Sequence, residues 1–550
     1  MSTQISAGPG PEPGGPRPDP WVLHPFLIVS FPILSLYAHN VYELPIRAMA
    51  APMATALGTT AALWLAFRSR TRDAHRAGLA TSLLVALFFG YRSIYQAANA
   101  TWYYLGDLWV YPQFPAPPSL VIGLEVAAAV GAIAVVFRRR KDHRAWTSRL
   151  NAFALILVAI PAAGALVARL REPAGTARVE ASAPVSSPIP GRSPDIYYIV
   201  LDGYARSDVM KDLYGFDYEP FLRRLEGRGF FVARRSEANY CQTRLSLASS
   251  LNGDYLDRLI EPGGRDLLPL SGLIKDNMVI RSLRPRGYKV VTFSTNFEPT
   301  DFPEADLFLT PGGTPPDFQR LLVDMTPLRP LLATTRLDDA YQAHRDRTLF
   351  LLDQLPSIAR VEGPTFTFAH IVSPHPPFVF GEDGEDVSPR ATGPIPADSP
   401  KFGTVDYLRE AYRKQAVYIT GQVDRAIDRI LEASPEPPII ILQSDHGSWL
   451  NYHPDDVDRT DLRERFGVLN CLLIPGRKAE GLADDLAPVN NFPVVLNQAF
   501  GAGLPIRENR SYFSTFSDPL VFTDVTERLH SDRERSRRFT PPAKYIGLTK

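Results

Sequence analysis

Long apolar runs fill most of the first third of the chain, while charged residues concentrate after about residue 195. Each run is close to the roughly 20 residues that an α-helix needs to cross about 30 Å of hydrocarbon. Such runs in series exceed what the core of a soluble domain buries, so we expect an amino-terminal membrane domain with five transmembrane helices. The predicted spans are residues 23–43, 48–67, 77–98, 117–137 and 150–168.

Arginine and lysine mark the links that we expect to face the cytoplasm. RSRTRDAHR (68–76) joins the second and third spans, and RRRKDHRAWTSR (138–149) joins the fourth and fifth. The other two links carry little positive charge. With an odd number of spans, this pattern places everything after about residue 170 on the extracytoplasmic side of the membrane.

Short runs of β-branched and aromatic residues alternate with helix-like stretches in the remainder of the chain. DIYYIVLDGYAR (195–206) and PIIILQSDHG (438–447) are two such runs, and LREAYRKQAVYITGQVDRAIDRILEA is a helix-like stretch. Strands that are apolar on both faces and alternate with helices predict an α/β domain with a mostly parallel central sheet. The predicted organisation is a disordered tail (1–20), a membrane domain (21–170), a linker (171–194), the α/β domain (195–530) and a second tail (531–550).

Charge and cysteine content exclude some classes of protein. The 59 basic residues balance the 59 acidic ones, so the composition indicates no nucleic-acid partner. Cys241 and Cys471 are the two cysteines of the chain, which is too few for a disulfide framework. Their spacing leaves open whether they pair.

Carboxylates and imidazoles stand where predicted strands end. Asp202 follows one strand, Asp445 and His446 follow another, and His370 and His375 belong to the segment HIVSPHPPF. Ligand sites of α/β sheets gather at the carboxyl ends of the strands, so we expect these side chains to converge. A mixed set of carboxylates and imidazoles favours zinc or manganese over calcium. An Asp-Gly pair after a strand is also a common turn, whereas SDHG after a buried strand is more specific.

NYCQTRLSLASS (239–250) places several hydroxyls and a thiol at a predicted transition from strand to helix. A helix that begins near residue 243 points its first N–H groups and its positive dipole end at a bound anion. Thr243 is therefore a candidate nucleophile toward a phosphate or sulfate, activated by a metal ion. The alternative is that Thr243 only caps the helix. Arg244 is either an anion-binding group or an ordinary solvated helix residue.

The order of these motifs along the chain resembles the alkaline phosphatase and sulfatase superfamily: IVLDG, then a hydroxyl at the start of a helix, then HIVSPHPPF and SDHG. A membrane anchor before such a domain is similar to the lipoteichoic acid synthases and the lipid A phosphoethanolamine transferases. The resemblance covers about residues 195–525. The Cys-x-Pro-x-Arg motif of formylglycine sulfatases does not follow, because Thr243 and Leu245 replace its Pro and Arg after Cys241.

The resemblance implies a sulfatase-like fold and a site with one divalent metal ion, manganese or zinc. Thr243 would be the nucleophile, with Ser246 as the alternative. His370 and His375 would contact the substrate phosphate or protonate the leaving alkoxide. The implied metal ligands are Asp202, Thr243, Asp445 and His446.

The function implied by the resemblance is that of a multi-pass enzyme of the bacterial cytoplasmic membrane. It would move a phospho-headgroup, of the phosphoethanolamine or phosphoglycerol type, from a membrane phospholipid through a phosphothreonine to an envelope glycan or lipid acceptor. One alternative is a hydrolase of phosphate or sulfate esters, with water as the acceptor. Another is an inactive sensor or scaffold, which has no need of the full set of candidate ligands.

Overall fold

A computed structural model of the 550-residue chain describes residues 20–109, 118–138, 143–171, 193–311, 317–332, 340–387, 405–476 and 481–536. The predicted linker and the two predicted tails lie largely outside these ranges. The chain divides into two compact units. The helical unit holds the described residues up to Val41, Ile46–Ala168 and Phe318–Leu331, and the sheet unit holds the others.

The helical unit is built from long apolar helices. Four stretches are long and apolar enough to cross a membrane, by length and composition: Ile46–Thr71, Ala74–Ala98, Pro118–Arg138 and Arg144–Leu170. The helices in its amino-terminal part are α1 (His24–His39), α2 (Ala50–Thr71), α3 (Ala74–Trp109), α4 (Pro118–Arg138) and α5 (Arg144–Arg171).

The first predicted span is shorter in the structure than in the sequence prediction. Helix α1 has 16 residues, fewer than the roughly 20 that a membrane span requires. It ends at His39 because the next residue, Asn40, donates its side-chain amide to the carbonyl of Leu36 and so terminates the last turn. The prediction of five spans is therefore not confirmed by the described residues, and the orientation derived from an odd number of spans stays a proposal.

The chain from residue 193 onward forms one main sheet and further helices, of which Asp317–Val323 and Leu328–Leu332 belong largely to the helical unit. Its elements are β1 (Ile196–Leu201), α6 (Ser207–Tyr214), α7 (Glu219–Gly227), β2 (Phe231–Val232), α8 (Thr243–Asn252), α9 (Leu256–Leu259), α10 (Leu268–Lys275), α11 (Met278–Leu283), β3 (Lys289–Phe293), β4 (Leu307–Leu309), α12 (Asp317–Val323), α13 (Leu328–Leu332), α14 (Ala340–Gln354), β5 (Thr365–Ile371), α15 (Val405–Ala433), β6 (Ile439–Ser444), α16 (Leu462–Phe466), β7 (Asn470–Leu473), α17 (Asn491–Phe500), β8 (Tyr512–Phe513), β9 (Thr523–Asp524) and α18 (Thr526–Ser536).

The main sheet is mixed, with the strand order β2-β7-β6-β1-β5-β3-β4. The strands from β6 to β4 pair in parallel, whereas β7 runs antiparallel to both β6 and β2. A parallel connection needs a crossover long enough to pass over one face of the sheet, usually by a helix. Helix α16, between β6 and β7, has five residues and is too short for that crossover. Strand β7 therefore returns antiparallel to β6.

Strand β1 lies in the middle of the sheet and is buried on both faces. Tyr198 and Val200 belong to the hydrophobic core on one side, and Tyr197 and Ile199 belong to the core on the other side. Because successive side chains of a strand point to opposite faces, one uninterrupted apolar run fills both cores. This burial fixes the carboxyl end of β1, where Asp202 follows.

The carboxyl-terminal hairpin packs against the segment that precedes α8. Strands β8 and β9 pair antiparallel and form this hairpin. The N–H of Tyr512 donates to the carbonyl of Asn239 at 2.9 Å, and its ring stacks on Tyr240 at 5.6 Å between centroids. Helix α18 then continues past residue 530, the predicted end of the domain.

The aromatic packing beneath β1 gives a test of the core. Phe492 is fully buried, 4.9 Å from the ring of Tyr198 and 6.0 Å from that of Phe366. We expect Phe492→Ala to lower the free energy of unfolding by about 3–5 kcal/mol, because the cavity cannot collapse between neighbouring strands. Chemical denaturation of the detergent-solubilised protein measures the change.

The matched control is Phe516→Ala, since the Phe516 side chain is 43% exposed. Its expected cost is about 1 kcal/mol or less. Equal losses in the two variants would contradict the packing described for Phe492.

Candidate active site

The ends of β1 and β6 bring the candidate carboxylates together. Leu201 and Ser444, the last residues of these strands, are paired in the parallel register, so Asp202 and Asp445 follow at the same edge of the sheet. The hydroxyl of Ser444 lies 2.8 Å from the carbonyl oxygen of Leu201 and accepts the N–H of Tyr204 at 2.8 Å. The two loops that carry the carboxylates are thus joined directly.

Three buried side chains form a group that could hold a metal ion: Asp202, His370 and Asp445. One ligand atom from each lies within 4.8 Å of the others, and His370 Nε2 is 3.2 Å from Asp202 Oδ2. Among the described residues, Oδ1 of Asp202 and Oδ2 of Asp445 are buried and have no hydrogen-bond partner. Buried carboxylate oxygens without hydrogen bonds are costly unless a cation pairs with them. The donor set therefore fits a divalent ion such as zinc or manganese.

The imidazole ring of His446 is oriented so that its Nε2 atom faces this group. Its Nδ1 lies 2.8 Å from the carbonyl oxygen of Gly447, and because a carbonyl only accepts, Nδ1 carries the proton. In the neutral ring, Nε2 then presents a lone pair 3.3 Å from Asp445 Oδ2 and 3.8 Å from Asp202 Oδ1. Lone pairs that face each other in this way require a cation or a proton between them. His446 is therefore oriented as a metal ligand would be.

The protonation states agree with a cation site. Burial lowers the pKa of His446, and the nearby positive charge of Arg465 lowers it further, so the imidazole stays neutral and able to ligate. Burial alone would raise the pKa of Asp202. The neighbouring imidazoles of His375 and His370 outweigh that effect and bring the pKa of Asp202 well below its usual value. Asp202 is therefore ionised.

Thr243 is the first residue of α8 and faces this group. Its Oγ1 lies 3.2 Å from His446 Nε2. The residue in the N-cap position is Gln242, and its side chain makes no capping hydrogen bond. Thr243 therefore does not act as the N-cap, which was the alternative interpretation of the sequence. The first N–H groups of α8 are uncapped by a side chain, and such a helix start favours an anion.

The two other nucleophile candidates have structural contacts instead. Ser246 is buried, and its hydroxyl donates to the main-chain carbonyl of Asp445 at 2.5 Å, which fixes the loop after β6. The Cys241 thiol is buried against Ser514, and burial raises the pKa of this thiol. Both cysteines are buried and free, so Cys241 and Cys471 do not pair. Thr243 is the hydroxyl that adjoins the candidate metal ligands.

The histidines of HIVSPHPPF divide into two positions. His370 lies within β5, its Nε2 among the candidate metal ligands and its Nδ1 3.0 Å from Thr300 Oγ1. The sequence resemblance implied substrate contact for His370, whereas this geometry favours a ligand. The main-chain N–H of His375 donates to the carbonyl of Asp202 at 3.1 Å, and its Nδ1 lies 2.7 Å from the carbonyl oxygen of Pro376.

Several supporting residues were not predicted from the sequence. The N–H of Gly203 donates to Asp445 Oδ1 at 3.0 Å, and its positive φ of 68° suits glycine in this turn. Gln415, on α15, accepts the N–H of Val379 at 2.8 Å and directs its amide group at the carbonyls of the PHPP turn. Thr300 orients His370 from a loop that follows β3. Of these supporting residues, only Gly203 was visible in the sequence, as part of an Asp-Gly pair. Gln415 and Thr300 come from segments without a recognisable motif.

Comparisons with known proteins give structural likeness alone. No protein-family model matches the chain, and no curated protein matches it. The chain is similar to the solved membrane protein lipooligosaccharide phosphoethanolamine transferase A (EptA) of Neisseria meningitidis, with 11% identity and a TM-score of 0.40, over 86% of this chain and 93% of that one.

The chain is also similar to two further solved structures, a transferase domain and a sulfatase. The periplasmic domain of the phosphoethanolamine transferase EptC of Campylobacter jejuni has 12% identity and a TM-score of 0.37, over 56% of this chain and 89% of that one. BT1596, a 2-O GAG sulfatase, has 14% identity and a TM-score of 0.35, over 59% of this chain and 74% of that one. The chain is thus similar to solved phosphoethanolamine transferases and a sulfatase. At these scores we base no functional argument on the likeness.

The candidate metal site predicts a specific effect of one substitution. Asp445→Asn keeps the oxygen that accepts the Gly203 N–H but removes the charge that pairs with a cation. We expect the purified variant, equilibrated with manganese or zinc and desalted, to retain only a small fraction of the metal that the unaltered protein binds. Elemental analysis per chain measures this.

Asp484→Asn is the control, because Asp484 pairs with Arg235 on the surface, where its side chain is 45% exposed. It should bind metal as the unaltered protein does. Equal metal content in both variants would argue against a site at Asp445.

Proposed function

We propose that this protein is a metal-dependent phosphotransferase in which the hydroxyl of Thr243 is the nucleophile. The carrying observation is the position of Thr243 Oγ1, 3.2 Å from the Nε2 lone pair of His446 and at the start of α8, whose N-cap residue makes no side-chain capping bond. A hydroxyl in this position is next to both a candidate cation site and a preferred anion position.

The proposed metal ligands are Thr243 and the buried residues around it. Manganese or zinc bound there would lower the pKa of the hydroxyl and polarise the phosphoryl group. His370 joins the ligands that the sequence resemblance implied, on the basis of its distance to Asp202. The proposed set is Asp202, Thr243, His370, Asp445 and His446.

The proposed reaction has two transfers. In the first, the Thr243 hydroxyl gives up its proton as Oγ forms a bond to the phosphorus of a phospholipid, the bond from phosphorus to the diacylglycerol oxygen breaks, and the leaving oxygen takes up a proton. In the second, an acceptor hydroxyl gives up its proton as it forms a bond to the same phosphorus, the bond from phosphorus to Thr243 Oγ breaks, and Oγ takes up a proton. His375 is proposed as the proton donor to the leaving oxygen, since it lies on the turn beside Asp202.

The helical unit fits a donor that resides in a lipid bilayer. Four of its helical stretches are long and apolar enough to span a membrane. Tethering an enzyme to the bilayer raises the effective concentration of a lipid donor. We therefore propose a phospholipid donor with a phosphoethanolamine or phosphoglycerol headgroup and an envelope glycan or lipid as acceptor. The basic links 68–76 and 138–149 support an extracytoplasmic site in a bacterial cytoplasmic membrane.

The alternative reaction is hydrolysis, in which water takes the place of the acceptor. The same nucleophile and the same metal serve both reactions, so the products distinguish them. A headgroup found on a glycan or lipid acceptor supports transfer. Free headgroup phosphate without a modified acceptor supports a hydrolase of phosphate esters, and turnover of sulfate esters alone supports a sulfatase-like hydrolase.

Substitution of Thr243 tests the proposed nucleophile. We expect Thr243→Ala to reduce the release of diacylglycerol from phospholipid vesicles by at least about 10³-fold, because removal of a covalent nucleophile abolishes both transfers. Thr243→Ser keeps a hydroxyl and should retain measurable turnover. Mass spectrometry of the lipid products provides the measurement.

Thr523→Ala removes an exposed threonine hydroxyl in β9 and should leave turnover unchanged. The proposal fails if Thr243→Ala turns over the phospholipid headgroup at the rate of the unaltered protein.

A further inference from the structure

The side chain next to the proposed nucleophile is a buried cation. Arg244 is 8% exposed, and its Nη1 has no hydrogen-bond partner among the described residues. Within the described part of the chain, no ion pair joins Arg244 to a carboxylate, and the acidic groups that act on it do so from a longer distance. Burial lowers the pKa of this guanidinium. A buried charge without a partner is costly, so this position requires an anion.

One of the acidic groups that act on Arg244, Glu298, already has a partner of its own. Lys275 Nζ lies 2.7 Å from Glu298 Oε1, and both side chains are less than one-third exposed. Glu298 is thus paired with another cation, and the Arg244 charge stays available for an anion beside Thr243.

The Phe297 ring lies between the Arg244 guanidinium and His370, one of the candidate metal ligands. The Arg244 Cζ lies 5.9 Å from the centroid of the Phe297 ring, and the same ring meets His370 edge-on at 6.2 Å between centroids. An aromatic ring in this position stabilises a cation and limits the directions in which it can point.

The loop that carries Phe297 is fixed by its own hydrogen bonds. Asp301 Oδ1 accepts the N–H of Thr295 at 2.7 Å and the N–H of Asn296 at 3.2 Å. Asn296 has a φ of 63°, a left-handed conformation that asparagine tolerates better than most residues. This turn sets the direction of the next side chain, Phe297.

We propose that Arg244, positioned by Phe297, binds a non-bridging oxygen of the phosphoryl group that Thr243 attacks. This inference rests on the proposed function and deepens it, because it assigns a phosphate-binding subsite beside the nucleophile. The α8 N–H groups and the guanidinium supply donors from the same element, and a guanidinium matches the oxygens of a phosphate by paired N–H donors. Arg244 contributes a positive charge in addition to that of a bound metal ion.

The test measures binding of inorganic phosphate to the full-length, metal-loaded protein in detergent by isothermal titration calorimetry. We expect Arg244→Gln to weaken phosphate binding about tenfold or more while the metal content stays unchanged. Arg258→Gln is the matched control, because the Arg258 side chain is 58% exposed, and it should bind phosphate as the unaltered protein does. Unchanged phosphate affinity in Arg244→Gln with metal bound would overturn the proposal.

Three further variants cover the case in which glutamine disturbs the fold. Arg244→Lys keeps the charge but loses the planar fork, so its affinity should fall by several-fold. Phe297→Leu keeps an apolar side chain without an aromatic face, whereas Phe297→Tyr keeps that face and should restore binding. Phosphate affinities equal to that of the unaltered protein in Arg244→Lys and Phe297→Leu would also overturn the subsite.

The subsite and the proposed reaction can fail separately. Thr243→Ala should still bind phosphate in an Arg244-dependent manner, since the guanidinium is retained. Phosphate binding that depends on Arg244, together with unchanged headgroup turnover in Thr243→Ala, would reject the nucleophile and keep the subsite. Loss of turnover in Thr243→Ala, with phosphate binding indifferent to Arg244, would do the reverse.

Discussion

Lone pairs of buried side chains converge at the carboxyl ends of β1 and β6, and their mutual repulsion is the main electrostatic constraint on this edge of the sheet. Asp202 and Asp445 each present an oxygen without a hydrogen bond among the described residues, and His446 turns its Nε2 lone pair toward them. In surroundings of low dielectric such an arrangement is unfavourable unless a cation occupies the middle. A divalent ion bound in the middle would therefore stabilise the loops after β1 and β6 in this arrangement.

The rest of the sheet unit holds these groups in place. Parallel pairing of β1 with both β5 and β6 brings three strands to one edge in a fixed register. Hydrogen bonds then fix the loops. The hydroxyl of Ser444, at the end of β6, contacts the carbonyl of Leu201 at the end of β1, and the hydroxyl of Ser246 joins α8 to the loop after β6. Because α8 is tied at Ser246, its first turn presents Thr243 to His446. Packing thus brings the proposed nucleophile next to the candidate ligands, although they are far apart in the sequence.

The strand ends were predictable from the sequence because burial on both faces leaves an uninterrupted apolar run that stops where polar ligands begin. Asp202, Asp445 and His446 were found in this way, and Thr243 followed from the start of the next helix. The direction of β7 was not predictable, since a strand has the same composition in either direction and the short α16 decided it. The length of α1 was also missed: the predicted span ran to residue 43, whereas the helix ends at His39 and the polar residues Asn40 and Glu43 follow.

The roles of individual side chains in loops were the least predictable part. His370 belongs to a strand rather than to the turn after it, which places its ring among the candidate ligands. Phe297 and Thr300 come from a segment without a motif, and their contacts with His370 depend on the path of that loop. Sequence spacing does not encode such a path, because the local hydrogen bonds of Asp301 determine it.

Intact-mass analysis with peptide mapping, after incubation of the full-length protein with manganese and phospholipid vesicles, tests the covalent role of Thr243 most directly. A headgroup-phosphate adduct is expected on Thr243, and its mass identifies the donor headgroup. The Thr243→Ala variant should carry no adduct under the same conditions. An adduct on another residue, or lipid turnover in Thr243→Ala equal to that of the unaltered protein, would contradict Thr243 as the nucleophile.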